Sequence, residues 1–115
     1  MAKPYGLTKN EIIRRPQDFS AIFEHGRFLR GRWFDIAYRR GERRQVAFAA
    51  AKRVRTAVSR NRIKRMLREA YRIEKESFPA AAQVVLIGQE NILQTHLADL
   101  RNEMRKMATR IHVKP

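Results

Sequence analysis

Apolar residues in this chain recur at two spacings, and the switches between them mark out its elements. Phe19, Ile22 and Phe23 stand at i, i+3 and i+4 between Pro16, which suits a first helical turn, and Gly26, which suits a helix end. Over residues 27–39 the period drops to two, with a break at Gly31. Phe34, Ile36 and Tyr38 then share one strand face, and Trp33, Asp35 and Ala37 the other. Gly41-Glu42 predicts a turn, and residues 45–51 predict a second strand despite their alanines, which are weak strand formers. Helical spacing returns after Thr56, a suitable N-cap, and lasts to about Ser77, ahead of Pro79. Residues 83–88 are nearly all apolar, as in a strand buried on both faces. Ile92, Leu97, Leu100, Met104 and Met107 then predict a last helix within residues 91–110, packed on the sheet. Residues 1–15, with Pro4 and Gly6, read as an irregular basic lead-in, and 111–115 as a frayed tail. Nothing divides the chain, so residues 1–115 are expected to form one α+β domain.

The helix after Thr56 separates into two arcs when wound at about 100° per residue. Ile63, Met66, Leu67, Ala70, Tyr71 and Ile73 gather on one arc; Arg60, Asn61, Lys64, Arg65, Arg68 and Arg72 gather on the other. Between residues 52 and 75 ten Lys or Arg face two acids, Glu69 and Glu74. A merely solvated face gains from mixed signs at i,i+4, whereas this one is almost wholly positive. Phosphate suits it, because phosphate offers charge and several acceptor oxygens to forked donors. Arg60, Lys64 and Arg68 repeat every fourth residue, about 6 Å apart along the axis. Asn61 can both donate and accept, so it can read a base edge or a 2′-hydroxyl. Arg62 lies at the border of the arcs, where it either meets nucleic acid or braces the helix on its own fold. Phe19 and Phe23 are open to two readings, core residues or a stacking surface.

The formal charge of +15 strengthens the case, since self-repulsion of that size calls for a polyanionic partner. The basic helix has no Trp or Phe on its apolar arc, as a membrane-surface helix would. No apolar run reaches the length of a membrane span. The opening Met-Ala-Lys-Pro-Tyr-Gly lacks the apolar stretch of a signal peptide, and there is no cysteine. A cytoplasmic nucleic-acid binder is the expectation.

The parts of a protein catalyst are missing from the pattern. His25, His96 and His112 are far apart and none has a second ligand at helical or strand spacing. The acids are scattered, and Ser20, Ser59 and Ser77 lack a nearby base. No metal is expected to be bound by the protein alone.

The run Ala57-Val58-Ser59-Arg60-Asn61-Arg62-Ile63-Lys64-Arg65-Met66-Leu67-Arg68-Glu69-Ala70 closely resembles the signature of the protein subunit of bacterial ribonuclease P. Asp18-Phe19, Ile22-Phe23 and His25-Gly26 are similar to that family's first helix, and Ala51-Lys52-Arg53 to its small-plus-basic pair. The resemblance implies an αβββαβα two-layer sandwich like a ribosomal-protein domain, with a left-handed βαβ crossover through the basic helix. That handedness runs against the usual one. The resemblance further implies a partner, a catalytic RNA whose bound Mg2+ ions carry out removal of the 5′ leader from precursor tRNA, with no protein partner and no membrane. Arg60, Asn61, Arg62, Lys64, Arg65 and Arg68 would face the catalytic RNA. Phe19, Phe23, Phe48, Lys52 and Arg53 would lie in or near a leader cleft between the first helix and the sheet. Where the family often has an aromatic this chain has Ala37, and Trp33 is the expected substitute; Arg55 stands where many relatives have glycine. Six helix cations on single-stranded phosphate would give a slope of log K against log salt of roughly −4. A ribosomal or RNA-assembly protein without a cleavage role would have the same composition.

Overall fold

The structure, a computed structural model, describes residues 7–113. Its helices are α1 (Pro16–His25), α2 (Ala57–Glu74) and α3 (Leu97–Ala108). Its strands are β1 (Arg27–Leu29), β2 (Phe34–Arg40), β3 (Gln45–Ala50) and β4 (Ala82–Gly88), so the chain order is αβββαβα. The four strands form one sheet in the order β1-β2-β4-β3. β2 is antiparallel to β1 and β4, while β3 and β4 are parallel neighbours joined by α2.

Strand alternation gives the sheet two faces with different tasks. Phe34, Ile36, Tyr38, Val46, Ala50, Val84 and Leu86 point toward α2 and α3, where they meet Ile63, Leu67, Tyr71, Leu100 and Met104 in the main core. Each large side chain buried there contributes about 1.5–3 kcal/mol, which is how a helix with a self-repelling outer face is held down. The helix comes closest at the end of β4. A Cβ on Gly88 would collide with Ile63 and lie 3.2 Å from Leu67, so glycine there lets α2 rest on the strand backbone. On the other face Ala37, Ala47 and Val85 pack with Ile13 and with Ile22 of α1. The alanines of β3 serve both faces, Ala50 in the main core and Ala47 and Ala49 in the packing of the α1 face.

Three predicted segments differ. The lead-in is not irregular throughout: a 3-10 turn spans Lys9–Glu11, Ile12 bridges Val46, and Ile13 is buried against Ala47. Residues 1–6 lie outside the described part. The last helix begins at Leu97 rather than near residue 91, because Thr95 and His96 are extended and Ile92 belongs to a separate 3-10 turn. The five-residue step from Ile92 to Leu97 marks that break, being longer than one helical turn. Ile111 is buried in the main core and Val113 packs against it, so the tail is anchored as far as it is described.

Glu74, at the end of α2, ties α2 to α3. Its carboxylate accepts from Arg101 Nε at 2.9 Å and from Arg105 Nε at 3.0 Å and Nη2 at 3.2 Å. The Arg105 fork, aided by Arg101, holds the Glu74 carboxyl below its ordinary value of 4.5 although burial pulls the other way. A depressed carboxyl stabilises the fold above the unfolded pKa and ceases to do so as pH falls through the folded one. Glu74→Gln is therefore expected to melt about 5 °C lower at neutral pH, with the gap closing progressively below pH 4.5. Thermal melts followed by circular dichroism across that range test this; a gap that persists at the acid end excludes the clamp.

Candidate nucleic-acid interface

α2 begins at Thr56, whose Oγ1 accepts from the Ser59 amide at 3.1 Å, and its first turn contains no acid. The positive end of the helix dipole is therefore left for an anion from outside. Beyond it Asn61, Arg62, Arg65 and Arg68 are exposed and Lys64 is half-buried. Among the described residues, Asn61, Arg62, Lys64 and Arg65 make no side-chain hydrogen bond or ion pair within the fold. Arg68 lies over the Phe48 ring, its guanidinium carbon 5.5 Å from the ring centre, and Arg72 pairs with Glu69 at 2.9 Å. Arg62, Lys64, Arg65 and Arg68 thus form an open cationic ridge with an amide at its upper end.

Arg60 does something else. Its Nη1 donates to the carbonyls of Val54 at 2.8 Å and Ala51 at 3.1 Å, and its Nη2 to that of Ala50 at 3.3 Å. It closes the loop between β3 and α2, which carries Lys52, Arg53 and Arg55 exposed to solvent. The bracing that sequence had left open for Arg62 falls to Arg60, while Arg62 points outward. The spacing could not reveal this, because Arg60 lies on the polar arc of the helix and its acceptors are backbone carbonyls of another segment.

The residues expected around one leader cleft are divided between the sheet faces. Phe19, like Ala49 and Ile87, packs against the cluster on the α1 face, and Phe23 on the same helix is 55 % exposed. Phe48 is on the opposite face, edge-on to Tyr71 at 5.8 Å between ring centres. Trp33 also packs toward the main core, with Arg32 over its ring and its amide donating to Glu103 at 3.2 Å. Lys52 and Arg53 stand at the end of β3, where the two faces meet. The ring placed beside Ala37 is Phe28, its cross-strand partner, which is 49 % exposed on the α1 face with Arg30 5.9 Å above it. Only the β1–β2 register brings Phe28 there.

The Tyr71 ring packs on those of Phe48 and Phe78; its buried hydroxyl has no hydrogen-bond partner among the described residues, and burial pushes its pKa far upward, so it stays neutral. Among the described residues no three His, Cys, Asp or Glu gather as a metal site. Among the described residues no helix is long and apolar enough to cross a membrane.

Residues 7–112 match the family model for Ribonuclease P. The chain belongs to the ribonuclease P protein family. The ribonuclease P protein component of Syntrophus aciditrophicus is 30 % identical over 110 residues, covering 94 % of this chain and 92 % of the relative. That of Desulfotalea psychrophila is 35 % identical over 83 residues, 70 % of this chain and 69 % of the relative. Among solved structures, the ribonuclease P protein of Thermotoga maritima superposes with a TM-score of 0.77 at 24 % identity, over 89 % of this chain and 98 % of that one. The protein from Staphylococcus aureus gives 0.69 at 23 % identity, over 95 % and 97 %. As a ribonuclease P protein component, the chain has the ribonuclease P RNA as its partner.

Arg60 and Arg65 should separate on mutation. Arg60→Ala leaves three carbonyls without their donor and is expected to cost about 1–3 kcal/mol of stability. Arg65→Ala should leave stability within about 0.5 kcal/mol. Urea unfolding of both variants checks the assignment; equal losses would refute it.

Proposed function

We propose that within ribonuclease P this protein lays the α2 ridge along the catalytic RNA and holds the 5′ leader of precursor tRNA on its α1 face. Hydrolysis to the mature tRNA 5′ end is carried out in this reading by the RNA and its bound Mg2+. The observation that carries it is the ridge itself: four cations kept free of internal acids on a helix whose other side is sealed into the core. Such a ridge neutralises phosphates where RNA strands and metal ions crowd together. Asn61 adds a group able to recognise a 2′-hydroxyl or a base edge. The leader surface needs only backbone tracking and tolerant stacking, because precursor sequences vary. The exposed rings of Phe23 and Phe28 support that role. Lys52 and Arg53, at the edge of both faces, would contact phosphates near the junction of leader and catalytic RNA.

Cleavage of a precursor tRNA at low magnesium tests the proposal, with protein alone, ribonuclease P RNA alone, and both together. Correct 5′ cleavage in the mixture alone is the expected result. Cleavage by the protein alone would indicate a self-sufficient nuclease, and no effect of the protein would favour a purely assembling RNA binder. With Arg60 turned inward, four ridge cations remain, so log K for the RNA should fall with log salt at a slope of about −3. Arg65→Ala should reduce that slope by about 1.

A further inference from the structure

A cleft of about 730 Å³ opens where α1 begins and β3 and β4 start, at the end of β3 away from the α2 N-terminus. Six cations line it (Lys9, Arg14, Arg15, Arg39, Arg40 and Arg43) against two acids, Asp18 and Glu42. One of these acids is already matched, since Arg39 Nη2 donates to Asp18 at 3.1 Å. The floor is a connected polar layer. Arg39 Nε donates to Gln83 Oε1 at 2.7 Å, Gln83 Nε2 to Gln45 Oε1 at 2.8 Å, and Gln45 Nε2 to the Asn10 carbonyl at 3.0 Å. Gln83 is only 5 % exposed, so this layer is fixed by burial as well as by hydrogen bonds. Arg43 Nε donates to the same carbonyl at 3.2 Å. On the rim, Arg14, Arg15 and Arg40 are exposed and have no side-chain partner among the described residues. A rigid polar base with unmatched guanidinium groups around it is built to take an anion.

The position of the cleft narrows the choice of anion. Arg39, Gln45 and Gln83 alternate with Tyr38, Val46 and Val84 of the main core, so the floor of the cleft lies on the α1 face, while Arg40, the last residue of β2 and alternate to Arg39, stands at its border with the other face. β3 separates it from Lys52 and Arg53 by about 16–20 Å, a distance that a few nucleotides of extended strand cover. A concave cleft between side chains admits a single strand, whereas a base-paired stem presents its phosphates on a convex surface. We infer that the cleft rimmed by Arg14, Arg15 and Arg40 holds phosphates of the distal, 5′-most part of a long leader. This rests on the α1 face being the leader surface, and it assigns to the protein a second, sequence-tolerant contact for precursors with extended leaders.

The test uses the holoenzyme reconstituted with ribonuclease P RNA. Its ligands are a precursor tRNA whose leader just spans the α1 groove, one extended by several nucleotides, and mature tRNA. The wild type should bind the extended precursor about tenfold more tightly than the short one at moderate salt. Arg14→Ala/Arg15→Ala/Arg40→Ala should lose that gain while keeping its melting temperature and its affinity for the short precursor. Its salt slope for the extended precursor should be smaller by about 2, from three cations lost on a single strand. A triple variant that keeps the gain overturns the inference, as does one that loses affinity equally for both precursors, which would place the cleft on the catalytic RNA or the tRNA body. A wild type that binds mature tRNA as tightly as either precursor overturns the reading of the α1 face, and this inference with it.

Discussion

Like-charge repulsion along α2 is the constraint around which this fold is arranged. Six cations lie within that one helix, and neighbours about 6 Å apart repel by roughly 0.7 kcal/mol even in water. An isolated helix of this composition would be held by little. The inner arc offsets the repulsion by complete burial of Ile63, Leu67, Ala70 and Tyr71. The acids of α2 are placed where they leave the middle of the ridge open: Glu69 faces Arg72, and Glu74 faces the arginines of α3. Compensation at the end, with none at the centre, keeps the charge available to RNA.

The sheet turns this arrangement into a two-sided molecule. Because β3 and β4 are parallel neighbours, α2 must cross over one face, and α3 completes that layer. The opposite face is left to the short α1, which covers only part of it above the small residues Ala37 and Ala47. The two faces therefore differ in kind: one is a thick apolar layer with a cationic exterior, the other a shallow surface bordered by exposed rings and arginines. In the proposed role, in which two RNA segments meet the protein at once, back-to-back surfaces are an advantage, since a rigid sheet sets the distance between them.

Arg60 and Arg68 show that a basic motif is not a uniform set of contacts. Arg60 completes the loop before α2 by satisfying three backbone carbonyls, which fixes the spot where Lys52 and Arg53 leave the sheet. Arg68 rests over Phe48, so this ring orients a cation in addition to packing on Tyr71. Both effects are structural preorganisation for the neighbouring groups, and both pass unseen in a helical projection, which treats every residue of the polar arc alike.

The succession of helix, strands, helix, strand and helix, the amphipathic character of α2, its cap at Thr56 and the family are legible in the residues alone, and the count of three strands before α2 came with the family resemblance. Each of these is written in local periodicity or in a contiguous motif. Strand pairing and the covering of the two faces were decided only in three dimensions, because they depend on contacts between segments distant along the chain. That is why Phe19 and Phe48, which one cleft was expected to hold, are separated by the thickness of the sheet, and why Phe28 arrives beside Ala37. It is also why residues 12 and 13, read as part of a loose lead-in, are anchored: their partner, Val46, lies more than thirty residues away and could not be named from local pattern.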